Sequence, residues 1–251
     1  MTKAKEKNRT LQGTLSAVAH LSRCEMREMF ELLDVYFENL TETRFAKDLA
    51  EKDSVILLRD GDGRLQGFST LMRLEARVQG VLVTAFFSGD TIVAHRFWGQ
   101  TELTRLWGQY AFDEAAKLRK KTPGVKVYWL LISSGYKTYR FLPVAYRNFF
   151  PSHLAQTPSF EQAVMHTLAG SKFDGEYDRG RGVVRFREAA PLRQGIADIE
   201  ARRLKDPHVR FFLQMNPGHK RGDELVCLAE LHPANLTPAG KRLVGALDKE
   251  S

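Results

Sequence analysis

Residues 81–101 read VLVTAFFSGDTIVAHRFWGQT, and where that stretch is divided decides the fold. Val81–Val93 is dominated by apolar, β-branched and aromatic residues, which predicts one long strand. Gly89 inside it marks either a bulge or a close approach of the backbone to a ligand. From Thr101 to Arg119 the residues Leu103, Leu106, Trp107, Tyr110, Ala111 and Ala115 fall on one stripe, which predicts a long helix with Thr101 as its cap. A strand that passes through a short loop into a helix leaves backbone N–H groups unpaired at the positive end of the helix dipole. Such an end is a ready site for phosphate.

On the N-terminal side, Met26, Met29, Phe30, Leu33, Phe37 and Leu40 recur at spacings of three and four. They predict a helix over Arg23–Asn39, with Ser22 and Glu25 as a capping box. A second helix is expected over Thr43–Lys52. Ser54–Arg59 and Leu65–Arg73 then read as strands joined by a turn at Asp60-Gly61-Asp62-Gly63-Arg64, which lacks the further oxygen ligands of a calcium loop. On the C-terminal side, Pro123-Gly124 breaks the chain before an apolar strand, Lys126–Ser133. Pro143 then favours a short helix beginning near Leu142, with Tyr139 and Phe141 on its approach. Past Pro151 a helix is expected at Phe160–Leu168, a strand at Val183–Arg187, a helix near Ile196–Leu204, strands at Val209–Met215 and Glu224–Leu231, and a small helix from Ala239. The expected class is α/β (α+β), a mixed, mostly antiparallel central sheet flanked by helices.

The 251 residues carry a net charge of +8, with 43% apolar and 27% charged residues, the proportions of a globular chain with ample core. Cys24 and Cys227 are too few for a disulfide scaffold or a thiolate zinc site, and they fit a reducing, cytoplasmic setting. Polar residues interrupt Leu11–Leu21, so no signal peptide is expected. No apolar run approaches the ~20 residues of a membrane span, so no integral membrane segment is expected. No nucleophile elbow, phosphate-binding loop ending in Gly-Lys-Ser/Thr, or paired-histidine motif occurs. His208, His219 and His232 match no familiar zinc spacing, and no metal is expected.

The order of elements, with Arg96-Phe97-Trp98-Gly99-Gln100-Thr101 between strand and long helix and Tyr146-Arg147-Asn148-Phe149-Phe150 after the next strand and helix, resembles the GNAT superfamily of acyl-coenzyme A-dependent N-acyltransferases. That family writes its pyrophosphate loop [Gln/Arg]-x-x-Gly-x-[Gly/Ala]. Here Arg96 and Gly99 match, and Thr101 stands where Gly or Ala is usual. The Asn often found at the end of the family's following strand is absent, with Ser133, Ser134 and Thr138 in its neighbourhood. The resemblance implies a GNAT-like domain over 12–215, with 152–182 as a variable insertion and 216–251 as a C-terminal strand and tail. It implies acyl-CoA as co-substrate, held by Arg96, Trp98, Gly99, Gln100 and Thr101, with backbone amides near Ile92 and Val93 polarising the thioester carbonyl. It implies Tyr146 as the acid that meets the departing thiolate. An amine nucleophile also needs a base, for which Asp90 and, at the loop edge, His95 are the candidates. Each has a structural reading too: Tyr146 as a core aromatic, Asp90 as the cap of a bulge, His95 as a hydrogen-bonded structural residue.

Function therefore reads as transfer of an acyl group from acyl-CoA, or from an acyl-carrier protein, to an amine acceptor. The alternatives are a non-catalytic module on the same fold and a binder of nucleic acid or another polyanion. Arg179–Arg221 bears on both: it holds eleven Lys and Arg against four Asp and Glu, seven of the eight surplus charges. Interleaved with Phe186, Phe211 and Phe212, it could pair phosphates and stack bases, or it could form a basic face for an acidic carrier or an anionic surface.

Overall fold

The computed structural model describes residues 10–196 and 198–244. One eight-stranded sheet organises them. Its strands are β1 (Gln12–Ala17), β2 (Ser54–Arg59), β3 (Leu65–Val78), β4 (Val81–Val93), β5 (Lys126–Ser133), β6 (Tyr177–Asp178), β7 (Val183–Val184) and β8 (Glu224–Glu230). They lie in the order β1-β2-β3-β4-β5-β8-β7-β6, and every neighbouring pair is antiparallel except β4–β5. This is the mixed, mostly antiparallel sheet that the sequence predicts. β8 (Glu224–Glu230) is an interior strand of this sheet, between β5 and β7.

Period-2 alternation divides the strands between two faces. Ile56, Leu58, Val127, Trp129 and Leu131 pack with α3 (Glu102–Lys121), α4 (Tyr136–Ala145), α6 (Pro207–Met215) and α7 (Pro238–Val244). On the opposite face Val55, Leu57 and Phe68 pack with α1 (Arg23–Asp34) and α2 (Glu42–Ala50), and Ala85, Phe87, Tyr128 and Leu130 pack with α5 (Ser159–Lys172). The Ser22–Glu25 capping box forms and opens α1, which ends at Asp34, short of the expected Asn39.

Several elements differ from expectation for identifiable reasons. β1 was not foreseen, because Gln12, Thr14 and Ser16 mask the alternation of an edge strand of which Leu15 is half exposed. α4 begins at Tyr136 rather than near Leu142. Pro143 is accommodated because the helix ends two residues later, so only one intrahelical N–H is lost. The segment Val209–Met215 is not a strand but part of α6. Asp206 caps that helix by accepting from the His208 N–H, Pro207 occupies its first turn, and Val209 and Phe212 are buried three residues apart. The strand at Val183–Arg187 shortens to Val183–Val184, and the helix near Ile196–Leu204 reduces to a 3-10 turn, Ala201–Lys205.

Candidate active site

The parallel pair that defines the site is short. Val83–Ser88 of β4 lie beside Lys126–Leu131 of β5. Beyond that point β4 continues to Val93 paired only with β3, while Ile132 and Ser133 of β5 pair with β8. The two strands therefore splay apart, and a cavity of about 950 Å³ passes through the gap. It joins an aromatic compartment on the α3–α4 face to a charged compartment on the α2–α5 face.

A bulge sits at the splay. Ser69 pairs with Thr91 and Leu71 with Ser88, so Gly89 and Asp90 together oppose Thr70. Only glycine fits at position 89: a Cβ there would lie 2.6 Å from Thr70 Oγ1 and 2.7 Å from Lys52 Cε. The extra residue carries Asp90 into the charged compartment, where no hydrogen bond or ion pair engages its carboxylate among the described residues. Burial pushes its pKa up to about 6, with the Asp48 charge adding to the rise and Lys52, Arg44 and Lys172 opposing it. Those cations are partly committed. Lys52 is buried with its Nζ 2.5 Å from Asp48 Oδ2, Lys172 pairs with Glu51, and Arg44 donates to the Glu188 carbonyl.

Glu224, at the start of β8, lines the same compartment. Burial, and next the charge of Asp90, push its pKa up to about 8. Each carboxylate raises the cost of ionising the other, so the pair favours holding one proton between them near neutral pH. Sequence reasoning missed Glu224, since a glutamate at a strand start reads as a solvated end. Only the placement of β8 beside β5 brings it to the splay.

Tyr146 follows α4 and is 3% exposed, its ring 5.9 Å from that of Trp129. It lines the cavity, and among the described residues its hydroxyl has no hydrogen-bond partner. Burial raises its pKa well above the ordinary value, so it is protonated throughout the physiological range.

The loop residues divide. Ile92 and Trp98 line the cavity; Val93, His95, Arg96, Gly99, Gln100 and Thr101 do not. Trp98 is fixed by its Nε1–H donating to the Val93 carbonyl at 2.8 Å, and Lys137 Nζ stands 3.9 Å over its ring. Lys137 lines the cavity as well and was not foreseen. His95 is exposed, with its ring on Trp98 and its N–H donating to the Tyr36 hydroxyl. Arg96 turns towards the buried Asp60, 2.9 Å away, which also accepts from the N–H groups of Asp62 and Arg64 and from Gln66 Nε2. Gly99 has φ +95°, a conformation that glycine adopts freely, with open space where a side chain would point. Thr101 holds the N-cap position, but its side chain makes no capping bond; its carbonyl accepts from the Arg105 N–H.

The three aromatics of the basic stretch differ in exposure, Phe211 being half-buried beside Tyr139 and His153. Phe212 is fully buried against Tyr139, and Phe186 packs on Phe173 beneath the Arg44 guanidinium. Arg185 and Arg193 are paired with Asp178, Asp223 and Asp34. Among the described residues no group of three or more His, Cys, Asp or Glu could hold a metal, and no helix is long and apolar enough to cross a membrane.

No protein-family model matches the sequence, and no curated protein matches it. Among solved structures, a conserved protein from Enterococcus faecalis described as a probable N-acyltransferase is similar over 55% of this chain at 18% identity and a TM-score of 0.41. The match spans only 33% of that longer protein. A GNAT family N-acetyltransferase from Escherichia coli in complex with CoA is similar over 53% of this chain and 68% of its own (16% identity, TM-score 0.34). A Trypanosoma brucei acetyltransferase is similar over 59% and 98% (18% identity, TM-score 0.35). With its hairpin, long bulged β4, loop, long helix and parallel β5 in the order on which the sequence resemblance rests, the chain has a divergent GNAT-like fold.

Proposed function

We propose that this protein is an N-acyltransferase that moves an acyl group from acyl-CoA, or from an acyl-carrier protein, to an amine. The observation that carries the reading is the cavity through the β4–β5 splay, which has an unpartnered carboxylate on one side and an unpartnered phenol on the other. Two compartments on opposite faces of one sheet suit two substrates that meet at the gap.

In this reading the start of α3 takes the pyrophosphate. The 20-residue helix presents unpaired N–H groups there, and Gly99 keeps the approach clear of side chain. Glu102 in the first turn is paired with Arg105, which lowers its repulsion of an anion. Arg96 joins the phosphate contacts only by leaving Asp60. The thioester carbonyl lies against the bulge and Ile92, where backbone N–H groups stabilise developing negative charge.

The acceptor enters from the α2–α5 face. Its nitrogen attacks the carbonyl carbon, the C–N bond forms, and the nitrogen's proton passes to Asp90, whose pKa near neutrality suits a base. The C–S bond breaks as the thiolate leaves on the Tyr146 side. A phenol with so high a pKa is a reluctant acid, so Tyr146 acts chiefly by donating a hydrogen bond to the developing thiolate, which then leaves with a proton from solvent. Glu224, whose pKa burial and the Asp90 charge raise, is placed to orient the acceptor by hydrogen bonding from its protonated form without adding a second charge beside Asp90.

Titration of acetyl-, octanoyl- and dodecanoyl-CoA into the protein, with mass spectrometry of a panel of amines incubated with each thioester, tests this. Thioester binding and acylated product support it. Absence of both, with salt-dependent binding of oligonucleotide instead, would replace it with the polyanion-binding reading.

A further inference from the structure

We propose that the acyl donor carries an aliphatic chain several methylenes longer than acetyl, held in the aromatic compartment beneath Trp129. This rests on the acyltransferase reading and names the substrate class of the same site. The compartment is walled by Leu103, Trp107 and Gly108 of α3, Trp129 of β5, Ala145 of α4 and Val244 of α7. None of these side chains is charged. Gly108 lies five residues along α3 from Leu103, a reach of about 7.5 Å along the helix axis. Trp129 lies two residues back from Leu131, the last β5 residue paired with β4, so the space extends about 6.6 Å beneath the closed part of the sheet. A single acetyl methyl leaves all of that depth unfilled.

The pantetheine arm of the donor is a poor occupant for the same space. It carries two amides, each with a donor and an acceptor. Among the described residues the polar side chains at this end of the cavity are few: the Trp107 Nε1–H, buried without a partner, the Tyr146 hydroxyl, Thr104, and Ser88, whose hydroxyl already accepts from the Trp129 Nε1–H. Burying the remaining amide groups unpaired is costly, whereas a hydrocarbon chain leaves nothing unpaired. The ring walls, Trp107 to Trp129 at 4.7 Å and Trp129 to Phe141 at 5.7 Å, are the apolar surface such a chain requires. Across the sheet the cavity also has apolar lining, from Phe37, Leu40, Phe186 and Leu192, but a chain leaving the splay on that side must first pass Asp90, Glu224, Lys52 and Lys172, which makes it the costlier path for hydrocarbon.

The test is isothermal titration of acetyl-, butyryl-, octanoyl- and dodecanoyl-CoA into the wild-type protein and into Ala145→Leu and Leu103→Phe, each variant checked by thermal unfolding. Each methylene buried strengthens binding severalfold. Octanoyl-CoA is therefore expected to bind at least about tenfold tighter than acetyl-CoA, and the octanoyl-to-acetyl ratio is expected to fall by about tenfold in the filled variants. Affinity that is flat or declining with chain length while acetyl-CoA binds would overturn the chain assignment and leave the acyltransferase reading standing. A chain preference untouched by either substitution would overturn the location. Failure of every thioester to bind would overturn the acyltransferase reading, and this inference with it.

Discussion

Replacing Glu224 by Gln should make the protein more stable at alkaline pH and leave it unchanged in acid. In the native state burial and Asp90 lift the Glu224 pKa from 4.5 to about 8. The folded protein therefore keeps a proton that the unfolded chain gives up from pH 4.5 onward. Where the unfolded state binds fewer protons, stability falls as pH rises, so the stabilising contribution is complete below pH 4.5 and lost as pH passes 8. At about 1.4 kcal/mol per pH unit that window sets an upper bound of about 5 kcal/mol, and solvent screening of a partly accessible carboxyl brings the expected effect to about 3 kcal/mol. Gln is close to isosteric and never ionises, so the variant lacks this loss. Denaturant unfolding at pH 5, 7 and 9, followed by the fluorescence of Trp98, Trp107 and Trp129, reads the difference directly. A small difference at pH 5, where the loss has only begun, growing to a clear lead for the variant at pH 9, is expected. A variant that is equally stable or weaker at pH 9 would show that Glu224 is solvated in the folded protein and that its neighbours do not hold its proton.

Asp90→Asn should lower kcat about a hundredfold or more, and the wild-type kcat/KM should fall below a pKa of about 6, a limb absent from the variant; a profile flat between pH 5 and 7 would remove Asp90 as the base. Tyr146→Phe should cost about ten- to a hundredfold in kcat with little change in KM, measured by release of free thiol, and unchanged kcat would assign Tyr146 to packing alone. Gly99→Val should lose about 1–2 kcal/mol, read as a lower Tm, through backbone strain alone, because no atom lies within 4 Å of the new Cβ; Gly99→Asn, which tolerates positive φ better, should lose less. Asp60→Ala should cost about 2–4 kcal/mol in urea unfolding, since it strands the half-exposed Arg96 and the buried Gln66 amide together.

The core of the fold was legible because its strands and helices announce their own periods. β4 and β5 run over the residues that their apolar composition predicts, and the Ser22 capping box marks the start of α1 unaided. Local chemistry misled where it opposed tertiary context. Val209–Met215 looks β-like until the Asp206-Pro207 start is weighed, and Pro143 looks like a helix start although it sits in a last turn. Within the site, Asp90 was visible as the lone charge in an apolar strand, and Gly89 beside it as the mark of a bulge. Glu224 and Lys137 were not, because each reaches the cavity only through pairings between distant segments. For Arg96 the sequence could not show its present partner, the buried Asp60 36 residues earlier, because that contact too joins distant segments.

The measurement that bears most directly on the acyltransferase assignment is a crystal structure of the protein soaked with CoA. Pyrophosphate density over Gly99–Thr101 at the start of α3, with the pantetheine arm entering between β4 and β5 towards Tyr146, is the predicted result. An empty splay in a protein that binds CoA in solution, or CoA lying on any other surface, would contradict it.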